Sequence, residues 1–154
     1  MTDYVTIVTS PITHFTGEYS FLSNFYNLDL RSYPWQSVEH AFQAAKTNDP
    51  DERKEILSAE GPKLAKQRGR AATLRPDWEL VKVDVMAALL ETKFAPGTRL
   101  ASLLVGTCPR MLAEGNNWCD HTWGVCDRHG NGMNLLGVLL MERRGALRSW
   151  RATT

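Results

Sequence analysis

The 154 residues contain no disulfide framework, no polybasic surface and no membrane anchor. Three cysteines, Cys108, Cys119 and Cys126, form an odd count without framework spacing, which favours a reducing compartment and a cytoplasmic location over a secreted scaffold. The longest apolar run, Leu135 to Met141, is interrupted by Gly137. It falls far short of the roughly 20 residues that span a bilayer, so no membrane partner is expected. Residues 1–10 have neither a basic n-region nor an apolar h-region, and no secretory signal is read there. A net charge of +1 excludes a protein built to coat nucleic acid. Any nucleic-acid contact has to be local, made by a pocket and its rim. Repeats, low-complexity stretches and interdomain linkers are also missing, so the chain reads as a single domain over 1–154.

The most informative stretch runs from Pro34 to Lys46. Ser37 suits an N-cap, which places Glu39 in the first turn of a helix, near the positive end of its dipole. At 3.6 residues per turn Glu39, Gln43 and Lys46 share one face, beside an apolar stripe of Val38, Ala41, Phe42 and Ala45. A carboxylate at the buried edge of a helix is a candidate for acid, base or cation-stabilising work. An ordinary solvated face is the competing reading.

Elsewhere the pattern predicts a mainly helical α+β protein with a small β element near the N-terminus. Val5–Thr9 is rich in β-formers, and 28–35 suggests a short hairpin or edge strand. The segment 20–25 suits an ordered loop contributing to a site. Helices are expected from Asp49 or Asp51 to Ala59, from Gly61-Pro62 to near Gly69, and over Trp78–Phe94. Further helices are expected over Thr98–Val105, Pro109–Ala113 and Met133–Leu147. Residues 115–132 form a long irregular stretch, too rich in aromatics for disorder, and such loops are commonly functional. Trp118, Asp120 and Trp123 in it suit a pocket wall, or else a seal over the core.

The same stretch carries Cys119, His121, Cys126 and His129, a possible zinc set. The spacing is compressed relative to the usual Cys-x2-4-Cys turn, and the apolar core needs no metal staple. The pattern therefore favours two incidental thiols and two surface histidines, with no metal and no cofactor.

Phe21-Leu22-Ser23-Asn24-Phe25 followed by Tyr33-Pro34-Trp35-x-Ser37-x-Glu39-His40-x-Phe42-Gln43-Ala44-x-Lys46 resembles the opening of the NADAR (YbiA-like) family. The likeness continues through Gly69-Arg70, Trp78-x3-Lys82-x3-Met86 and Lys93-Phe94 to Asp120-x2-Trp123-Gly124 and Asn134-x2-Gly137-x2-Leu140-Met141-x2-Arg144. The resemblance implies a compact α+β fold and an N-glycosidase. The substrates it implies are small ribosyl phosphates, such as phosphorylated ribosylaminopyrimidines of riboflavin biosynthesis, and, in other members, ADP-ribose on guanine in nucleic acid.

Breaking a ribosyl C–N bond develops oxocarbenium-like charge, which a neighbouring carboxylate stabilises while activating water. Glu39 fits that role. Asp120 would be a second carboxylate, placing ribose hydroxyls or protonating the leaving nitrogen. Lys46 could pair with a phosphate, tune Glu39 or attack C1′, and the first two roles are preferred here. Trp78 and Trp123 would stack on the base or enclose the sugar. Ser23, Asn24, Phe25 and Arg70 complete the expected binding set. Asn134 is a binding residue or a helix N-cap. Thr47, Ala41 and the segment 116–119 depart from the family pattern, which bears on the leaving group. A module that binds ADP-ribose or another NAD derivative without catalysis is the alternative. It would keep the tryptophans and cations but would not need Glu39.

Overall fold

The structure, a computed structural model, describes residues 9–154. It is mainly helical with a small β component, the α+β class expected. The chain divides into two compact units, Ser20–Ala95 and the chain up to Tyr19 together with Pro96–Thr154.

The Ser20–Ala95 unit holds four helices: α1 (Val38–Ala44), α2 (Pro50–Leu57), α3 (Pro62–Ala71) and α4 (Trp78–Lys93). Their starts follow from local chemistry. Ser37 caps α1 by accepting from the His40 amide, and Asp49 caps α2 by accepting from the Asp51 and Glu52 amides. Proline opens both α2 and α3, where its missing N–H has no intrahelical partner to lose. Ala44, Ile56, Ala59 and Ala65 form one buried cluster, covered by Leu64 and Ala72. These small residues let α1 and α3 approach closely. At the tightest point a Cβ on Gly69 would lie 2.1 Å from Gln43 Oε1.

In the second unit α5 (Arg99–Gly106) is capped by Thr98, and α6 (Leu135–Thr153) runs six residues beyond the expected end at Leu147. Leu136, Leu140 and Leu147 are buried on its inner face. Buried Arg144 donates to Thr107 Oγ1 (3.0 Å) and the Arg110 carbonyl (2.8 Å). The two short strands, β1 (Gly115–Asn116) and β2 (Val125–Cys126), pair in parallel inside the stretch read as irregular.

Three expectations need correction or limit. Residues 109–113 are not helical: Pro109 and Arg110 lie in a turn and bend, and Leu112 bridges to Ile12 in parallel. Five residues opening on a proline cannot repay helix nucleation, whereas pairing satisfies their backbone. Residues 28–35 form turns and bends, closed by a bond from the Leu28 amide to the Gln36 carbonyl (2.8 Å), with no strand. The strand read over Val5–Thr9 lies, except for Thr9, outside the described residues.

Candidate active site

The stripe on α1 is buried. Glu39 is 6% exposed and Gln43 3%. Gln43 Nε2 donates to Glu39 Oε1 at 2.7 Å, and the Glu39 amide donates to the Asn24 carbonyl at 3.0 Å. Glu39 forms no salt bridge among the described residues. A buried carboxylate with one amide partner is not a solvated-face residue.

Helix α1 ends at Ala44, so Lys46 lies in the tight turn beyond it, its amide bonded to the Gln43 carbonyl at 3.2 Å. Its ammonium sits 5.8 Å from the centre of the Phe42 ring. Burial pulls Lys46 below the ordinary lysine range; Glu39 opposes that shift, while Lys66 and Arg70 reinforce it. The electrostatics thus tie Glu39, Lys46, Lys66 and Arg70 to one locality. Lys66 and Arg70 are one turn apart on α3, and Lys66 stands 5.7 Å from the Phe25 ring centre. Phe25 is 41% exposed, an aromatic face beside the cations.

The loop 23–25 is held from below. Ser23 Oγ accepts from the Phe25 amide at 3.1 Å, and Lys93 Nζ donates to the Ser23 carbonyl at 2.8 Å. Asn24 is buried, with Nδ2 3.6 Å from Met86 Sδ and Oδ1 left without a partner. An orphaned buried acceptor beside the Glu39 amide is suited to a ligand hydroxyl.

Trp78 is 5% exposed and packs at 5.0 Å and 59° against Phe42, the ring that the Lys46 ammonium approaches. Asn134 stands at the N-cap position of α6, one of its two expected places, with a left-handed backbone (φ 52°) and no side-chain cap bond. Oδ1 accepts from the Glu114 amide (3.0 Å) and Nδ2 donates to the Leu112 carbonyl (2.9 Å), which pins 112–114 to the start of α6.

Asp120 and Trp123 lie in the second unit. Asp120 Oδ1 accepts from the Thr122 and Trp123 amides, each at 2.9 Å, and so builds the turn that carries both residues. Cys119, His121, Cys126 and His129, read as two incidental thiols and two surface histidines, also meet there: their donor atoms all lie within 4.8 Å of one another.

A family model for the NADAR domain matches residues 13–148, which run through both units. The chain belongs to the NADAR family. N-glycosidase YbiA of Escherichia coli K12 is 39% identical over 136 residues, covering 86% of this chain and 84% of that protein. N-glycosidase Npun_R5314 of Nostoc punctiforme is 33% identical over 88% of this chain and 90% of its own. The chloroplastic riboflavin biosynthesis protein PYRR of Zea mays is 35% identical over 75% of this chain but only 20% of that longer protein. The NMR structure of E. coli YbiA superposes with a TM-score of 0.81 at 35% identity, over 95% of this chain and 89% of that one. Membership of NADAR places the chain among enzymes that hydrolyse N-glycosidic bonds. Among the described residues no helix is long and apolar enough to cross a membrane.

Sequence reasoning missed Lys93, Lys66 and the catalytic-side use of Gln43. Lys66 had a signal in its spacing four residues from Arg70 on a basic helix. Lys93 had only its place in a family block. It is fully buried between the Tyr26 and Phe94 rings, and burial lowers it to about 7. Between that value and the ordinary lysine range the unfolded chain holds a proton that the folded chain lacks. Lys93 therefore makes the protein more stable as pH rises through this window, and least stable below it. The stability of wild type minus that of Lys93→Met should rise by about 1.4 kcal/mol per pH unit above pH 7 and be flat below it. Denaturant titrations from pH 6 to about 9 measure this, and a difference independent of pH contradicts it.

Proposed function

We propose that the protein acts as one NADAR domain that hydrolyses the C–N bond between a phosphorylated ribose and a base or amine, in a reducing cytoplasm. The observation that carries this reading is the buried Glu39 carboxylate, held by Gln43 beside Lys46, Lys66 and Arg70. A carboxylate stabilises the cation that develops at C1′, and the cations offset a phosphate. The exposed face of Phe25 suits the departing base, and the orphaned Asn24 Oδ1 suits a ribose hydroxyl. A pure binding module has no use for a desolvated carboxylate at this point.

Lys66 and Arg70 would carry the phosphate charge, and Lys46 would carry the chemistry. Its lowered proton affinity is the condition under which an amine acts as a nucleophile. Lys46 adds to C1′ as the base leaves, its proton passing through Glu39 to the departing nitrogen. The remaining N–H proton then moves to the ring oxygen, the sugar opens to an imine, and water hydrolyses the imine to regenerate the amine. Arginine keeps the charge but cannot supply a neutral amine. Lys46→Arg should therefore lose about 100-fold or more in kcat, and borohydride should trap sugar on wild type but not on the variant. Full activity in Lys46→Arg, or turnover with no trapped adduct, returns Lys46 to a charge-only role.

The names of riboflavin biosynthesis relatives favour a phosphorylated ribosylaminopyrimidine as substrate. ADP-ribosylated guanine is the second reading, because Lys66 and Arg70 are two cations that could each take one phosphate of a diphosphate. Offering both substrates to wild-type protein and quantifying the released base chooses between them.

A further inference from the structure

The geometry points to a structural zinc site formed by Cys119, His121, Cys126 and His129. No step of the proposed reaction uses these residues, and the inference does not rest on that reaction.

A thiolate–imidazole zinc tetrahedron with bonds of about 2.0–2.3 Å has donor–donor edges of roughly 3.3–3.8 Å. In this structure Cys126 Sγ is 3.4 Å from His129 Nδ1, and Cys119 Sγ is 3.8 Å from the same nitrogen. The remaining separations within the set are at most 4.8 Å, so small rotations of side chains close the tetrahedron. The His121 and His129 rings stack at 5.7 Å with 20° between their planes, which brings the two imidazoles together.

The backbone explains how so compressed a sequence converges. Parallel pairing sets Asn116 opposite Cys126. The Asn116 side chain then accepts from the Asp120 amide (2.8 Å) and donates to the Asp120 and Val125 carbonyls (3.1 and 3.3 Å), folding 117–124 back over β2. Cys119 takes a left-handed conformation (φ 59°), an uncommon one for a side-chain-bearing residue, within that fold. After Cys126 a second tight turn, closed by the Gly130 amide on the Cys126 carbonyl at 2.7 Å, returns His129 to the sulfurs. Two turns thus deliver one Cys–His pair each.

Two sulfurs and two imidazoles select zinc among common cellular metals. Four protein ligands leave no open position, so the metal is structural rather than catalytic. It would clamp both ends of the segment that carries Asp120 and Trp123.

Untagged protein, expressed with zinc and purified under reducing conditions, should contain close to one zinc per chain by elemental analysis. Cys126→Ser and His129→Ala should each lower bound zinc by about tenfold or more, while Cys108→Ser, outside the cluster, leaves it unchanged. Because the ligand variants can misfold, wild type is also loaded with cobalt. The expected spectrum combines intense tetrahedral d–d bands with a thiolate charge-transfer band. Zinc-free wild type that retains neither zinc nor cobalt after gel filtration overturns the site. So does metal that stays in Cys126→Ser, or cobalt bound without the thiolate band.

Discussion

Glu39→Gln should lower kcat by about 100- to 1,000-fold with little change in KM, as expected for loss of a charge that acts mainly in the transition state. Substrate affinity should persist because the cations of α3 and the Phe25 face are untouched. The fold should persist as well. A glutamine at 39 still offers Oε1 to Gln43 Nε2, and it removes a charge buried to 6% exposure without a salt-bridge partner among the described residues. Stability should match or slightly exceed that of wild type. Equal activity in the variant would transfer the chemistry to another group. A collapse in thermal stability would show instead that Glu39 holds the helix.

Gly69→Ala should be strongly destabilising. The added Cβ would lie 2.1 Å from Gln43 Oε1, 2.7 Å from Gln43 Cβ and 2.9 Å from its Cδ. Overpacking of this kind costs about 1–3 kcal/mol, and the clash extends to a Cβ fixed on α1 that no rotamer change relieves. Alanine's helix preference returns only about 1 kcal/mol. The variant should unfold about 2 kcal/mol earlier in a denaturant titration, and kcat should also fall, because Gln43 is driven away from Glu39. Adding Gln43→Ala removes the nearest contact and should recover part of the lost stability, as coupled neighbours do. A fully stable Gly69→Ala would mean that α1 and α3 are farther apart than described here.

These effects show what a single sequence can and cannot convey. The Glu39–Gln43 stripe was legible because helical period alone sets which side chains share a face. Its burial was not, since that depends on α3 coming within a glycine's width at position 69. The cap at Ser37 is local chemistry and was read correctly, as was Asp49 as one of two candidates; Thr98, read as the first helical residue, is the cap of α5. Trp78 was assigned to stacking or enclosing the sugar, and Asn134 to binding or a helix N-cap, because their side chains could do that work. Their actual partners, Phe42 and the 112–114 backbone, are 36 and about 20 residues away and leave no mark in local pattern. The Cys–His set was discounted on its compressed spacing and on the apolar core, and neither shows the two tight turns that bring the four donors within 4.8 Å of one another. The burial of Lys93 was not legible for a similar reason, as the Tyr26 ring and the Ser23 carbonyl come from a distant segment.

The decisive assay places wild type and Glu39→Gln side by side, each with a phosphoribosylaminopyrimidine and with ADP-ribosyl-guanine DNA, and quantifies free base by chromatography. Base released by wild type from one of them, and not by Glu39→Gln, is the predicted result. Equal release by both proteins, or binding without release by either, contradicts a glycosidase centred on Glu39.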